Sequence, residues 1–221
     1  MKRIFLFSCL CILCVKIKAQ SPVETKLGSW YMFNGNHQLS EDIKLITNAH
    51  FRYYEIASEY QQEIYRLGLN YNINKKVNVT GGFVYSVTDK SYKSESPNLY
   101  EYRFYQDVNL KANWNKVKVN HRIRLAQRFK RQNLENQIKH RIRYGLFLKH
   151  TITRNLELYS FNEIFMKFEP KSFDQNRIGA GLNTKINNKL TLKTGYFYTK
   201  FSESSLHRLQ IGILLYTDFT K

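Results

Sequence analysis

The chain is poor in the residues that interrupt or staple a fold. Only three of its 221 residues are proline, and no Pro/Gly/Ser-rich stretch sets one part off from another, so nothing marks a boundary between domains. It has three cysteines, Cys9, Cys11 and Cys14, all inside one apolar run from Ile4 to Val15 that follows Lys2 and Arg3. This run is too short to span a bilayer, and Lys16-Ile17-Lys18-Ala19-Gln20 comes after it. The segment reads as a signal peptide over residues 1–19, cleaved after Ala19, which leaves residues 20–221 as a single domain. The exported chain would then hold no cysteine, and disulfide and thiolate chemistry are excluded from it.

Negative charge is also scarce. Seventeen Asp and Glu face 35 Lys and Arg, a formal charge of +18. Removing the leader takes four bases and no acid, which lowers this to +14. A basic exported protein is suited to anionic lipid headgroups, polysaccharide or small anions. No Arg/Lys-rich tail or recognisable motif points to nucleic acid. Carboxylates and histidines are scattered without ligand spacing, so neither a metal nor another cofactor is expected.

Beyond the leader no run approaches the ~18 apolar residues of a membrane-spanning helix. A membrane form would have to be built from strands. From Ile43 to Phe219 the sequence does read as strands, apolar at every second position over about a dozen residues. Tight turns at Asn72 to Lys76, Trp114 to Lys116, Thr153 to Asn155 and Ile186 to Lys189 alternate with longer polar connections near 89–98, 130–136, 169–175 and 201–205. Asn collects in the tight turns because it tolerates the left-handed backbone they require. Short turns on one side and longer loops on the other are the habit of outer-membrane barrels, with the short side periplasmic.

Parity assigns the two faces, since successive side chains of a strand point to opposite sides. Val117, Val119, Ile123, Leu125 and Phe129 alternate with Lys118, Arg122, Arg124, Arg128 and Lys130. In the following strand Ile138, Ile142, Tyr144, Leu146 and Leu148 alternate with Lys139, Arg141, Arg143, Gly145 and Lys149. A soluble barrel with an apolar interior would alternate as well. Strand length favours lipid outside. So do glycines on the polar parity (Gly68, Gly82, Gly179, Gly195 among them) and aromatics near strand ends on the apolar one (Tyr71, Trp114, Tyr196, Tyr198, Phe219). The expected fold is all-β, a transmembrane antiparallel up-and-down β-barrel of about 10–12 strands, monomeric, in the cell outer membrane. About eleven segments can be counted, whereas bacterial single-chain barrels are even. With the short turns periplasmic, residues 27–38 would have to start outside, so that segment is expected to be split, irregular or excluded from the wall.

Leu27-Gly28-Ser29-Trp30-Tyr31, Gly81-Gly82-Phe83-Val84-Tyr85, Tyr102-Arg103-Phe104, His121-Arg122-Ile123-Arg124, His140-Arg141-Ile142-Arg143 and Asn162-Glu163-Ile164-Phe165 occur in this order. Together they resemble an uncharacterised family of Bacteroidota outer-membrane β-barrel proteins, the domain of unknown function DUF2490. The resemblance covers essentially the whole exported chain. It implies a barrel in the outer membrane and carries over no catalytic residue.

The sharpest constellation is the basic stripe Arg122, Arg124, Arg128, Lys139, Arg141 and Arg143, extended by Lys130 and Lys149. Directly opposed like charges repel, so this face needs anions. Glu101, Asp107, Glu157 and Glu163 share its parity, and the planar arginine fork suits carboxylates. The stripe therefore reads either as part of a packed polar plug or as the wall of a small anion-preferring pore. The alternative is an outer-membrane lipid-modifying enzyme, lipid A deacylase-like or phospholipase-like. His121, His140 and His150 have the lipid-facing parity, but none begins a His-X-Ser pattern, and the turn at 153–155 separates His150 from Ser160. No catalytic residue is expected. The expected partners are outer-membrane lipids and lipopolysaccharide, with small anions in the interior.

Overall fold

A computed structural model describes residues 23–220; the leader, its cysteines and the cut after Ala19 lie outside the described residues. Eleven strands follow one another: β1 (Leu27–Gln38), β2 (Ile43–Tyr53), β3 (Tyr60–Asn72), β4 (Val77–Thr88), β5 (Leu99–Trp114) and β6 (Val117–Gln132), then β7 (Glu135–Thr151), β8 (Leu156–Lys167), β9 (Phe173–Lys185), β10 (Leu190–Phe201) and β11 (Ser205–Asp218). Each pairs with its sequence neighbours, and β1 closes the wall against β11.

That seam corrects the expectation for residues 27–38. β1 is an unbroken strand in the wall, antiparallel to β2 and parallel to β11 from Leu27 opposite His207 to Gln38 opposite Asp218. The reason is directional. In an odd meander the first and last strands run the same way, so the wall closes through a parallel ladder, which satisfies backbone groups as an antiparallel one does.

The connections at 39–42, 73–76, 115–116, 152–155 and 186–189 gather at one end, called here the turn end, and the others at the loop end. In two of the tight turns Asn performs the same task. Asn74 Oδ1 accepts the backbone N–H of Lys76 and Val77 at 2.8 and 2.9 Å, and Asn187 Oδ1 accepts those of Lys189 and Leu190, both at 2.8 Å. Residues 130–136 form no long loop, which is a second correction. β6 and β7 continue to a two-residue turn at Asn133 and Leu134, where Asn133 takes the left-handed backbone at φ 52°.

The outer face displays large apolar side chains side by side, with Leu67, Leu69, Phe104 and Ile178 each more than half exposed. A soluble monomer does not carry so extended an apolar surface. The inner face is polar, with apolar groups set among its charges: Trp30, Tyr159, Phe161 and Phe197 form an aromatic cluster, and Ile64, Val84, Tyr105 and Ala126 another, mostly aliphatic one. Inward glycines make room for these rings. A Cβ at Gly82 would come within 2.7 Å of the Tyr105 ring, and one at Gly195 within 2.1 Å of Tyr159 Oη.

Candidate functional site in the barrel interior

Register brings like charges face to face. Arg103 stands opposite Arg128, and Arg124 opposite both Asp107 and Arg143. Directly opposed cations destabilise a sheet, and carboxylates resolve each conflict. Glu101 accepts Arg128 through two bonds of 2.7 Å and Arg103 at 2.8 Å. Arg124 holds Asp107 with both ends of its fork. Glu163 Oε1 accepts Arg122 at 2.5 Å and Arg143 at 3.2 Å. Arg141 pairs with Asp174 at 3.0 Å, Lys149 with Glu157 at 3.1 Å, and Lys139, nearer the rim, with Glu169 of the β8–β9 loop at 2.8 Å. The sequence-derived residues Arg122, Arg124, Arg128, Arg141, Arg143, Glu101, Asp107 and Glu163 thus lie together inside the barrel, with Lys139 at its edge.

Asp174 escaped the reading because residues 169–175 read as a connection; β9 in fact starts at Phe173, and Asp174 is the extra residue at a register shift, where Phe173 faces Met166 and Gln175 faces Phe165. A second set of cations lies outside the stripe: Arg52, Arg66, Arg177 and Lys193, which the sequence reading passed over, and Arg208, which the alternation of the last strand puts on the polar face. None of them has another Lys or Arg two residues away on its strand, the i, i+2 repetition that made the stripe visible. Among the described residues none of the five has a carboxylate within ion-pair distance. Arg52 lies 3.5 Å over the Trp30 ring and donates to Gln62 at 2.6 Å. Arg177 lies 4.9 Å from the same ring and 4.6 Å from Phe165. Arg66 donates to Asn48 at 3.2 Å, Lys193 sits 4.0 Å over Tyr159, and Arg208, 1% exposed, donates to a backbone carbonyl at 2.9 Å. Cation–π contact and neutral acceptors hold these groups without cancelling their charge.

Trp30, Arg52, Arg66, Arg143 and Arg177 line two cavities at once and form a septum between them. The chamber on the turn side is about 510 Å³ and is lined by ten bases against two acids, Asp107 and Glu163. The chamber on the loop side is about 240 Å³, and its lining includes eight arginines and no acid. The larger chamber shares Lys149, Asn183, Leu214 and Tyr216 with a third cavity of about 410 Å³ beside the 153–155 turn, lined also by Lys118, Arg154 and Lys185. The buried Nε atoms of Arg52, Arg66, Arg122, Arg143 and Arg177 make no hydrogen bond within the protein.

On the outer face, His121 Nδ1 is 2.8 Å from the Tyr144 hydroxyl, and His140 rests near Phe168. His150 faces Leu158, while Ser160 faces Leu148, so the two are diagonal neighbours on adjacent strands.

Residues 27–210 match the family described as a protein of unknown function, DUF2490. The chain belongs to this family. The match begins at the first residue of β1 and takes in every charged group of the septum, so the family extends over the β1 seam as well as the arginine-striped hairpin. No curated protein matches the chain. Among solved structures, LpxR from Salmonella typhimurium is similar with a TM-score of 0.47 and 11% identity, over 78% of this chain and 83% of that one.

Proposed function

We propose that this DUF2490 protein is a monomeric outer-membrane β-barrel whose basic interior admits small anions. The observation that carries the reading is the septum: the guanidinium groups around Trp30 stand between two chambers in which bases far outnumber acids. Rings of Arg and Lys select anions in pores, because a dehydrated cation meets only repulsion there. A closed wall with an apolar outer face supports placement in a membrane, since a barrel leaves no unpaired strand edge in lipid. Exposed aromatics at the turn end, Tyr71, Trp114 and Phe219, suit the boundary with headgroups, and lipopolysaccharide and phospholipid are the lipids such a wall would meet. On this reading the turn end is periplasmic.

Planar-bilayer recording under a salt gradient tests the lumen. Small unit currents with an anion-directed reversal potential are expected, and Arg177→Gln is expected to weaken the preference. Cation preference, or no current at all, would overturn it. Recovery of the protein in the soluble periplasm, without heat-modifiable migration on detergent gels, would overturn the membrane placement.

A further inference from the structure

Resting on the anion-admitting interior, the geometry points to a specific ligand class: we propose that the turn-side chamber binds a soluble phosphate-type oxyanion carrying at least two negative charges. Three features of the chamber support this.

The first is charge. Asp107 and Glu163 are already engaged by Arg122, Arg124 and Arg143, and Arg52, Arg66, Arg177 and Lys193 face the same space with no carboxylate. Buried cations without counter-charge are costly. One multivalent anion can neutralise several of them at once.

The second is a set of prepared neutral donors. Asn48 donates to Asn34 at 2.8 Å, and His50 Nε2 lies 2.9 Å from the same oxygen. Across the barrel Asn70 and Asn109 both donate to Asn78, at 2.8 and 3.1 Å, and Asn120 donates to Asn109 at 3.2 Å. These amides all line the chamber, and the bonds among them fix their orientation before any ligand arrives. A tetrahedral oxyanion offers enough acceptor positions to meet guanidinium forks and amides together. A halide offers one centre.

The third is access. The wall is closed on all sides, so a headgroup tethered to acyl chains in the surrounding lipid cannot enter laterally. The route in passes the cavity beside the 153–155 turn, where Lys118 and Lys185 stand along the way beside the Lys149–Glu157 pair. The septum at Trp30 then narrows the passage towards the loop end. The chamber therefore retains its anion more readily than it transmits it.

The test uses the refolded, purified barrel in detergent. Its heat-modification midpoint is measured against pyrophosphate and against inorganic phosphate, with chloride adjusted to hold ionic strength constant, and binding of pyrophosphate is followed by calorimetry. A saturable rise with both phosphates is expected, and none with chloride. Lys193→Gln removes a charge that takes no part in an ion pair and is expected to weaken binding about tenfold; Arg131→Gln, on the outward parity, is expected to change nothing. Equal effects of phosphate and chloride, or unaltered binding by Lys193→Gln, would overturn the proposal. Replacement of pyrophosphate by lipopolysaccharide is expected to give no shift that depends on Lys193; such a shift would make a lipid headgroup the ligand and overturn the soluble-anion assignment. Anion-directed reversal potentials without saturable phosphate binding would remove this inference alone, whereas cation preference would remove the reading beneath it.

Discussion

Two arcs of the same wall treat buried arginine in opposite ways. From β5 to β8 every inward guanidinium has a carboxylate: Arg103 and Arg128 share Glu101, Arg124 holds Asp107, Arg122 and Arg143 share Glu163, and Arg141 reaches Asp174. Across the barrel, on β2, β3, β9 and β11, Arg52, Arg66, Arg177 and Arg208 rest on aromatic rings, amides and a backbone carbonyl. Removing one partner of a buried ion pair leaves its mate uncompensated, whereas removing an unpaired charge leaves nothing stranded. The first arc is therefore tied to stability, whereas the second keeps its positive charge with no carboxylate against it among the described residues.

The largest expected effect separates the arcs directly. Glu163→Gln strands Arg122 and Arg143 together and is expected to cost about 3–5 kcal/mol, measured by urea unfolding of the refolded barrel. Arg177→Gln gives up contacts with two rings and is expected to cost less than about 2 kcal/mol. Equal costs would erase the distinction. A smaller effect contrasts adjacent glycines on the two faces. A Cβ at Gly82 would meet the Leu67 carbonyl at 2.4 Å and the Tyr105 ring, while one at Gly81 meets nothing within 4 Å. Gly82→Ala is expected to destabilise by about 1–3 kcal/mol, and Gly81→Ala to be neutral or slightly stabilising, on the same assay.

The smallest expected effect lies at the loop end. The Tyr92 hydroxyl donates to Glu55 at 2.6 Å, and Lys93 lies 3.6 Å from the same carboxylate. The hydroxyl first, and Lys93 with it, hold the Glu55 carboxyl below its ordinary range. Because the folded value is lowered, this tie is at full strength above the ordinary carboxylate range and is lost as pH falls through the lowered value. Limited proteolysis of loop 54–59 is expected to quicken on acidification. Tyr92→Phe should make cleavage faster at neutral pH and less dependent on pH.

Much of the wall was legible because period-two alternation is a local property. Parity alone put Glu101, Asp107 and Glu163 on the side of the basic stripe, and the tight Asn turns fixed which hairpins meet at which end. Reading failed where locality fails. Residues 130–136 hold a single apolar side chain, Leu134, so the alternation fades and the strands look like loop, although β6 runs to Gln132 and β7 starts at Glu135. Asp174 lay in the stretch read as the 169–175 loop, whereas β9 starts at Phe173 with a bulge that leaves no sequence marker. Arg52, Arg66 and Arg177 stand on three different strands, and no pattern within a strand could join them.

Two faces, a surplus of positive charge and a meander of strands were determined by the sequence itself, since each depends on residues close together in the chain. The parallel seam of β1 against β11 was decided only by the tertiary structure, because an odd strand count leaves closure to the ends of the chain. That closure sets Trp30 in the wall between β2 and β11 and brings its ring against Arg52 and Arg177. The septum that divides the interior into two chambers therefore exists only once the barrel is shut.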